Sequence, residues 1–284
     1  MMIFKKAVLF YKKGHAPRNQ KVFASFFKKK RFLPATKVFL IGAGPGDPEL
    51  LTLKAHRILG AADVILHDSL VDPRILAMAP GARLIDVGKR CGRHSASQQE
   101  ISHLLCTEAL AGYVVVRLKG GDPMVFGRAT EEMDALDAHG IAYEVVPGIT
   151  AATAAASSLG LSLTRRGIAR SLHFLTGHGA EGGLPDHDWV ALAKTGGTLA
   201  VYMGGRTLAG LAAHLIEAGM EADIPAIAVE NASLAGERMI RGTIGSLPRA
   251  LMTAGDGPIL VLIGEALREQ EALPARPALE AEPA

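Results

Sequence analysis

The sequence predicts an α/β protein of two domains, with a mainly parallel sheet in the first and a mixed sheet in the second. Three observations carry this. From residue 38 onward, short β-branched runs alternate with segments of helical period, and strands separated by single helices need crossover connections and hence parallel pairing covered on both faces. The alternation breaks around Pro147 and resumes after Arg170, which divides the chain into residues 37–147 and 148–267. Finally, 284 residues that are 49% hydrophobic and 21% charged hold enough apolar material for two cores and exclude a fibrous or disordered chain.

In the first domain the apolar runs place strands at 38–41, 63–66, 84–87, 113–118 and 142–146. Helices fall between them at 49–59, 74–79, 98–110 and 128–139. Residues 151–159 form a helix of small side chains that lets another backbone approach closely. In the second domain strands are expected at 172–175, 199–202, 224–229, 239–241 and 259–263, with a helix at 207–218 that stops at Gly219. The close spacing of the last two strands makes this sheet mixed. The tail 268–284, with Pro274, Pro277 and Pro283 among Ala and Glu, is expected to be disordered.

Charge is uneven along the chain. Residues 1–36 hold ten Lys and Arg and no acid, and six of the nine phenylalanines, which leaves residues 37–284 with 21 basic against 28 acidic side chains, a net of −7. Basic residues interrupt every apolar stretch of that arm, which disfavours a secretory signal. An organelle address, an anionic surface and a plain solvated extension stay open, the last being the commonest origin of such a run. The longest uncharged stretch, 145–164, contains Pro147, Gly148 and Gly160 and reads as a loop entering a buried helix rather than a membrane span. Two cysteines, Cys91 and Cys106, are too few for a disulfide framework or a zinc quartet, so a reducing cytoplasm and no metal site are expected.

Several segments carry chemistry. Gly42-Ala43-Gly44-Pro45-Gly46-Asp47-Pro48 follows the first strand, but it lacks the Gly-Lys-Ser/Thr of a P-loop, and its glycines miss the dinucleotide spacing. A second Gly-Asp-Pro stands at Gly121-Asp122-Pro123 after the 113–118 strand. Asp as N-cap and Pro as first helical residue explain that tripeptide structurally. The extra glycines, Gly42, Gly44 and Gly120, go beyond capping and allow backbone to approach a ligand at the carboxyl ends of the strands. Asp68, just past a buried strand, is placed to hold a ribose or act as a base, while Asp72 is the better cap for the Pro73 segment. Lys89-Arg90-Cys91-Gly92-Arg93-His94 gathers cations that suit an anionic substrate, with Cys91 incidental among them. His173 and His178 have no partners at ligand spacing.

Taken together, residues 38–55, His67-Asp68-Ser69-Leu70-Val71, Val87-Gly88-Lys89-Arg90, Arg117-Leu118-Lys119-Gly120-Gly121-Asp122-Pro123-Met124-Val125-Phe126-Gly127-Arg128, Val146-Pro147-Gly148-Ile149-Thr150-Ala151-Ala152, Leu175-Thr176-Gly177-His178 and Val201-Tyr202-Met203-Gly204 resemble the tetrapyrrole methylase family. The resemblance runs in order over about residues 37–266. It implies a homodimer whose two α/β domains bind S-adenosylmethionine in the cleft between them. The implied activity is methylation of uroporphyrinogen III on rings A and B, giving precorrin-1 and then precorrin-2.

By residue match, Pro45, Gly120, Gly121, Asp122, Val125, Thr150, Ala151, Met203 and Ala232 would line the S-adenosylmethionine site. Asp68 matches the family's proton acceptor and Lys89 its proton donor. The substrate's eight carboxylates would meet Arg90, Arg93 and Arg128, and also Arg165 and Arg166, although Thr164-Arg165-Arg166-Gly167 departs from the family's Thr-His-Arg-Asp. A methylase acting later in cobalamin synthesis and, from another class, a nicotinamide-dependent dehydrogenase are the alternatives. Neither nucleic acid nor membrane is an expected partner, and both sirohaem and cobalamin remain open as destinations of the product.

Overall fold

The computed structural model describes residues 38–88, 96–179, 182–252, 255 and 257–268. The basic arm 1–36 and all of the tail except Arg268 lie outside them. The first half begins with β1 (Val38–Gly42), a short 3₁₀ turn, α1 (Leu53–Leu59), β2 (Val64–His67), α2 (Pro73–Leu76) and β3 (Arg83–Asp86). It continues with α3 (Gln98–Leu110), β4 (Val115–Lys119), α4 (Ala129–Ala138) and β5 (Tyr143–Val146). The strands order as β3-β2-β4-β1-β5 and every pairing is parallel.

Alternate residues of the three central strands, β2, β4 and β1, enter opposite cores. Phe39, Ile41, Val116 and Leu118 pack with Ile58 and Leu59 of α1 on one face. Val38, Leu40 and Val115 pack with Leu105 of α3 and Leu136 of α4 on the other. Burial on both faces explains why these strands read as continuous apolar runs.

The helix expected at 49–59 is divided. Thr52 is extended, with ψ at 145°, and its hydroxyl accepts the Ala55 amide at 3.2 Å, so it caps a fresh helix rather than continuing the turn before it. Helix 98–110 has the expected bounds, with a reciprocal Ser97/Glu100 capping box.

α5 (Ala151–Leu159) links the halves, since Ala152 and Ala155 pack directly onto the second sheet. That half comprises β6 (Leu172–Thr176), α6 (Trp189–Lys194), β7 (Thr198–Tyr202), α7 (Leu208–Glu217), β8 (Pro225–Glu230), β9 (Arg238–Thr243), α8 (Leu247–Leu251) and β10 (Ile259–Ile263). Its order is β6-β7-β10-β8-β9, and only the β6–β7 pairing is parallel. The sheet is mixed as expected, but the two closely spaced strands are not neighbours: β10 lies between β7 and β8. The short helices α6 and α8 were not anticipated by the periodicity.

Candidate functional site

The loops after β1 and β4, neighbouring strands, are bonded to each other. Gly44 donates its amide to the Gly121 carbonyl at 3.1 Å and Gly121 returns the bond to Gly44 at 2.7 Å. The loop after β5 closes on both. A Cβ on Gly42 would lie 2.6 Å from the Gly148 Cα, and one on Gly148 would overlap the Gly121 carbonyl oxygen. Only glycine permits three backbones to meet here.

The two Gly-Asp-Pro copies do different work. Asp47 caps the 3₁₀ turn by accepting from the Glu49 amide at 3.0 Å. Asp122 caps no helix, because α4 begins only at Ala129. Its Oδ1 accepts from the Met124 amide at 2.8 Å and its Oδ2 from the Gly148 amide at 3.0 Å. Asp72, as expected, caps α2.

The second half closes the site from the other side. The Asp47 amide donates to Ser233 Oγ at 3.2 Å, and Leu234 fills the space that a side chain on Gly46 would need. Tyr202, at the end of β7, reaches α5: its hydroxyl lies 2.5 Å from Thr150 Oγ1 and accepts the Ala152 amide at 3.3 Å. Burial pushes the Tyr202 phenol up from its ordinary pKa. The Phe126 ring packs on Tyr202 at 5.1 Å between centroids.

Between these walls lies a cavity of about 430 Å³. Pro45, Gly120, Gly121, Asp122, Val125, Thr150, Ala151, Met203 and Ala232 all line it, together with Tyr202 and Leu234. A mostly apolar cavity of this size with a few fixed polar groups suits a small organic ligand.

A second cavity of about 480 Å³ shares Ser69, Leu70, Gly120 and Val125 with the first. It is lined further by Asp68, Gly88, Arg117, Lys119, Phe126 and Arg128. Lys89, Arg90, Cys91 and Arg93 lie outside the described residues, in the segment that leaves Gly88. Arg165 and Arg166 are not among the residues lining either cavity.

An ion network forms the floor of the second cavity. Arg117 Nη2 donates to Asp68 Oδ1 at 2.5 Å and Arg117 Nε to Glu132 Oε1 at 2.9 Å, while Lys119 Nζ donates to the same Glu132 oxygen at 2.8 Å. Glu132 is fully buried, Arg117 and Lys119 nearly so, and only Asp68, 30% exposed, reaches the surface. Burial and the neighbouring Arg117 charge push the Lys119 ammonium below its ordinary pKa, against the pull of Glu132. Breaking such a buried pair strands a charge, at a cost of about 3–5 kcal/mol.

Sequence reasoning missed Glu132, which stands in an ordinary-looking helix. The available signal was Arg117 and Lys119 at alternate positions of a strand buried on both faces, since two buried cations require a buried acid.

Left-handed backbone concentrates here. Phe126, Arg128, Met203, Asn231 and Ser233 have φ between 52° and 65°, and each lines one of the cavities or flanks a residue that does. Non-glycine residues persist in that region where the surroundings hold them. Cys106 is buried, and burial pushes its thiol up, away from nucleophilic character. Among the described residues no group of three or more His, Cys, Asp or Glu is arranged to hold a metal, and no helix is long and apolar enough to cross a membrane.

Residues 37–248 match a family model described as Tetrapyrrole (Corrin/Porphyrin) Methylases. Over 234 residues the chain is 49% identical to a uroporphyrinogen-III C-methyltransferase of Pseudomonas aeruginosa, an alignment covering 82% of this chain and 95% of that protein. It is also 49% identical over 232 residues to the chloroplastic S-adenosyl-L-methionine-dependent uroporphyrinogen III methyltransferase of Arabidopsis thaliana. There the match covers 80% of this chain and 63% of the relative, so the chain spans less than two thirds of that protein's length. Among solved structures, the Thermus thermophilus uroporphyrin-III C-methyl transferase complexed with S-adenyl homocysteine matches with a TM-score of 0.70 at 43% identity, over 81% of this chain and 98% of that one.

Proposed function

The chain belongs to the tetrapyrrole methylase family, and on that premise we propose that it methylates uroporphyrinogen III on rings A and B, giving precorrin-2 by way of precorrin-1. S-adenosylmethionine supplies an electrophilic methyl carbon on a sulfonium and leaves as S-adenosylhomocysteine. The observation that carries the reading is the convergence of all nine matched cofactor residues on one cavity, whose wall of Ser69, Leu70, Gly120 and Val125 is also the wall of a second cavity floored by the Asp68–Arg117–Glu132–Lys119 network.

The residues fit the donor. Gly120 and Gly121 bring backbone to the cavity without side chains in the way, and Met203 and Ala232 offer apolar contact opposite them. The paired glycine loops and the Tyr202–Thr150 contact hold these walls in place before a ligand arrives, so alignment supplies much of the acceleration in an in-line displacement.

Asp68 faces the second cavity, where it accepts the proton that the pyrrole nitrogen loses as a carbon of the same ring attacks the donor methyl. Arg128 at the rim, with Lys89, Arg90 and Arg93 on the segment after Gly88, pairs with the substrate's carboxylates, and Lys89 also serves as proton donor. Such local clustering is needed because the net charge of −7 over residues 37–284 repels a polyanion. A cytoplasmic homodimer serving sirohaem or cobalamin synthesis completes the reading.

The test is incubation with uroporphyrinogen III and methyl-labelled S-adenosylmethionine, followed by mass analysis. A gain of two methyl groups is expected. No product from that substrate together with turnover of a later precorrin would move the assignment along the cobalamin series, and NAD binding without affinity for S-adenosylhomocysteine would replace it with a dehydrogenase.

A further inference from the structure

We propose that Glu132 is a positioning residue for methyl transfer: its buried carboxylate grips Arg117 and Lys119 so that Arg117 presents a fixed edge to Asp68. This rests on the reading of Asp68 as the proton acceptor. Glu132 comes from α4 and lines neither cavity itself, but it bonds to Arg117, Lys119 and Gln98, which line the second.

The geometry is lopsided. Glu132 Oε1 takes three donors, from Arg117 Nε at 2.9 Å, Lys119 Nζ at 2.8 Å and Gln98 Nε2 at 3.1 Å, while the buried Oε2 has no partner. Arg117 is held at every nitrogen: Nε by Glu132, Nη1 by the Leu118 carbonyl at 3.2 Å, and Nη2 by Asp68. The planar guanidinium thus converts the position of Glu132 into the position of Asp68 Oδ1.

Stability alone does not account for such a device. Filling the space between β4 and the two helices with apolar side chains would stabilise the fold as well or better, because desolvating three charged groups is costly. Of the four charged members only Asp68 is exposed beyond a few per cent, so the charged network ends at the group that faces substrate. The charges that interact with Lys119 are Arg117 and the acids Glu132, Asp68 and Glu131, and removing the Glu132 charge takes away its bonded counter-charge and leaves Asp68 and Glu131 to offset Arg117.

Glu132→Gln isolates this effect, because the amide oxygen replaces Oε1 as acceptor and the amide nitrogen falls at the unpartnered Oε2 site. A misplacement of about 1 Å transmitted from outside the reacting centre lowers activity by up to about 100-fold. The expected result is a fall of that size in kcat on uroporphyrinogen III, an S-adenosylhomocysteine Kd within about twofold of wild type, and an alkaline limb of the pH profile displaced to lower pH as Lys119 loses its counter-charge. Glu132→Asp, which keeps the charge, should return the limb toward its wild-type position. Should Glu132→Gln fail to fold, Arg117→Lys decides: losing the fork while keeping the charge should lower kcat with cofactor affinity retained.

Wild-type kcat and pH profile in Glu132→Gln overturn the proposal, as does a parallel fall of kcat and S-adenosylhomocysteine affinity, the mark of a purely structural role. If the wild-type chain does not methylate uroporphyrinogen III, the functional reading falls first and this one with it.

Discussion

The Asp122 carboxylate joins two loops that are far apart in the chain, accepting the Gly148 amide on Oδ2 at 3.0 Å while Oδ1 caps the turn at Met124. Each bond contributes about 1 kcal/mol. Asp122→Ala should therefore lose about 2 kcal/mol of stability in denaturant titration and weaken S-adenosylhomocysteine binding by about tenfold or more, since both loops line the first cavity. Unchanged affinity by calorimetry would remove Asp122 from the site.

Gly148→Ala tests the glycine junction. The added methyl meets backbone of Gly121 and Gly42, which cannot rotate away as a side chain would. Overpacking of this kind costs about 1–3 kcal/mol. Stability and cofactor affinity should fall together, whereas Gly112→Ala, with φ at 92° and open space around it, should lose only stability. Equal affinities in the two variants would contradict this.

Tyr202→Phe removes the hydroxyl that joins β7 to α5 and should weaken S-adenosylhomocysteine binding several-fold. It should also change the response to alkali. Folded Tyr202 keeps its proton above pH 10.0, where the unfolded side chain releases it, so its contribution is complete below 10.0 and is lost as pH rises through the folded value. Unfolding free energy measured from about pH 9 to about pH 11 should fall more steeply for wild type than for the variant. Parallel curves would show that the phenol does not titrate differently on folding.

Arg128→Gly separates charge from fold. Arg128 sits at φ 53°, where glycine relieves about 1–2 kcal/mol of strain, and its exposed pair with Glu131 contributes about 0.5 kcal/mol. Stability should be unchanged or slightly improved. KM for uroporphyrinogen III should nonetheless rise by about tenfold, the equivalent of one lost charge-assisted contact, with S-adenosylhomocysteine affinity constant. A constant KM would take Arg128 out of substrate recognition.

The sequence made the first sheet legible because burial on both faces turns strands such as Val38–Gly42 into unbroken apolar runs, and because Ser97 and Glu100 mark where α3 starts. Trp189–Lys194 carries no legible period, since a helix of six residues among glycines and prolines has too few turns to show one. Asp68 could be singled out from its place at a strand end. Glu132 could not, because two adjacent acids in Ala129–Ala138 look like solvated helix charge, and its burial depends on Arg117 and Lys119 arriving from another element.

The wall of Ser69, Leu70, Gly120 and Val125 has one more consequence. If a ligand on one side shifts this wall, its neighbour on the other meets a changed surface, and thermodynamic linkage makes any such effect reciprocal. Whatever factor S-adenosylhomocysteine imposes on tetrapyrrole affinity, the tetrapyrrole imposes on S-adenosylhomocysteine. On the proposed function, the spent donor and the half-methylated product would therefore set each other's affinity, and the balance between them would decide whether the second methyl is added before the tetrapyrrole departs.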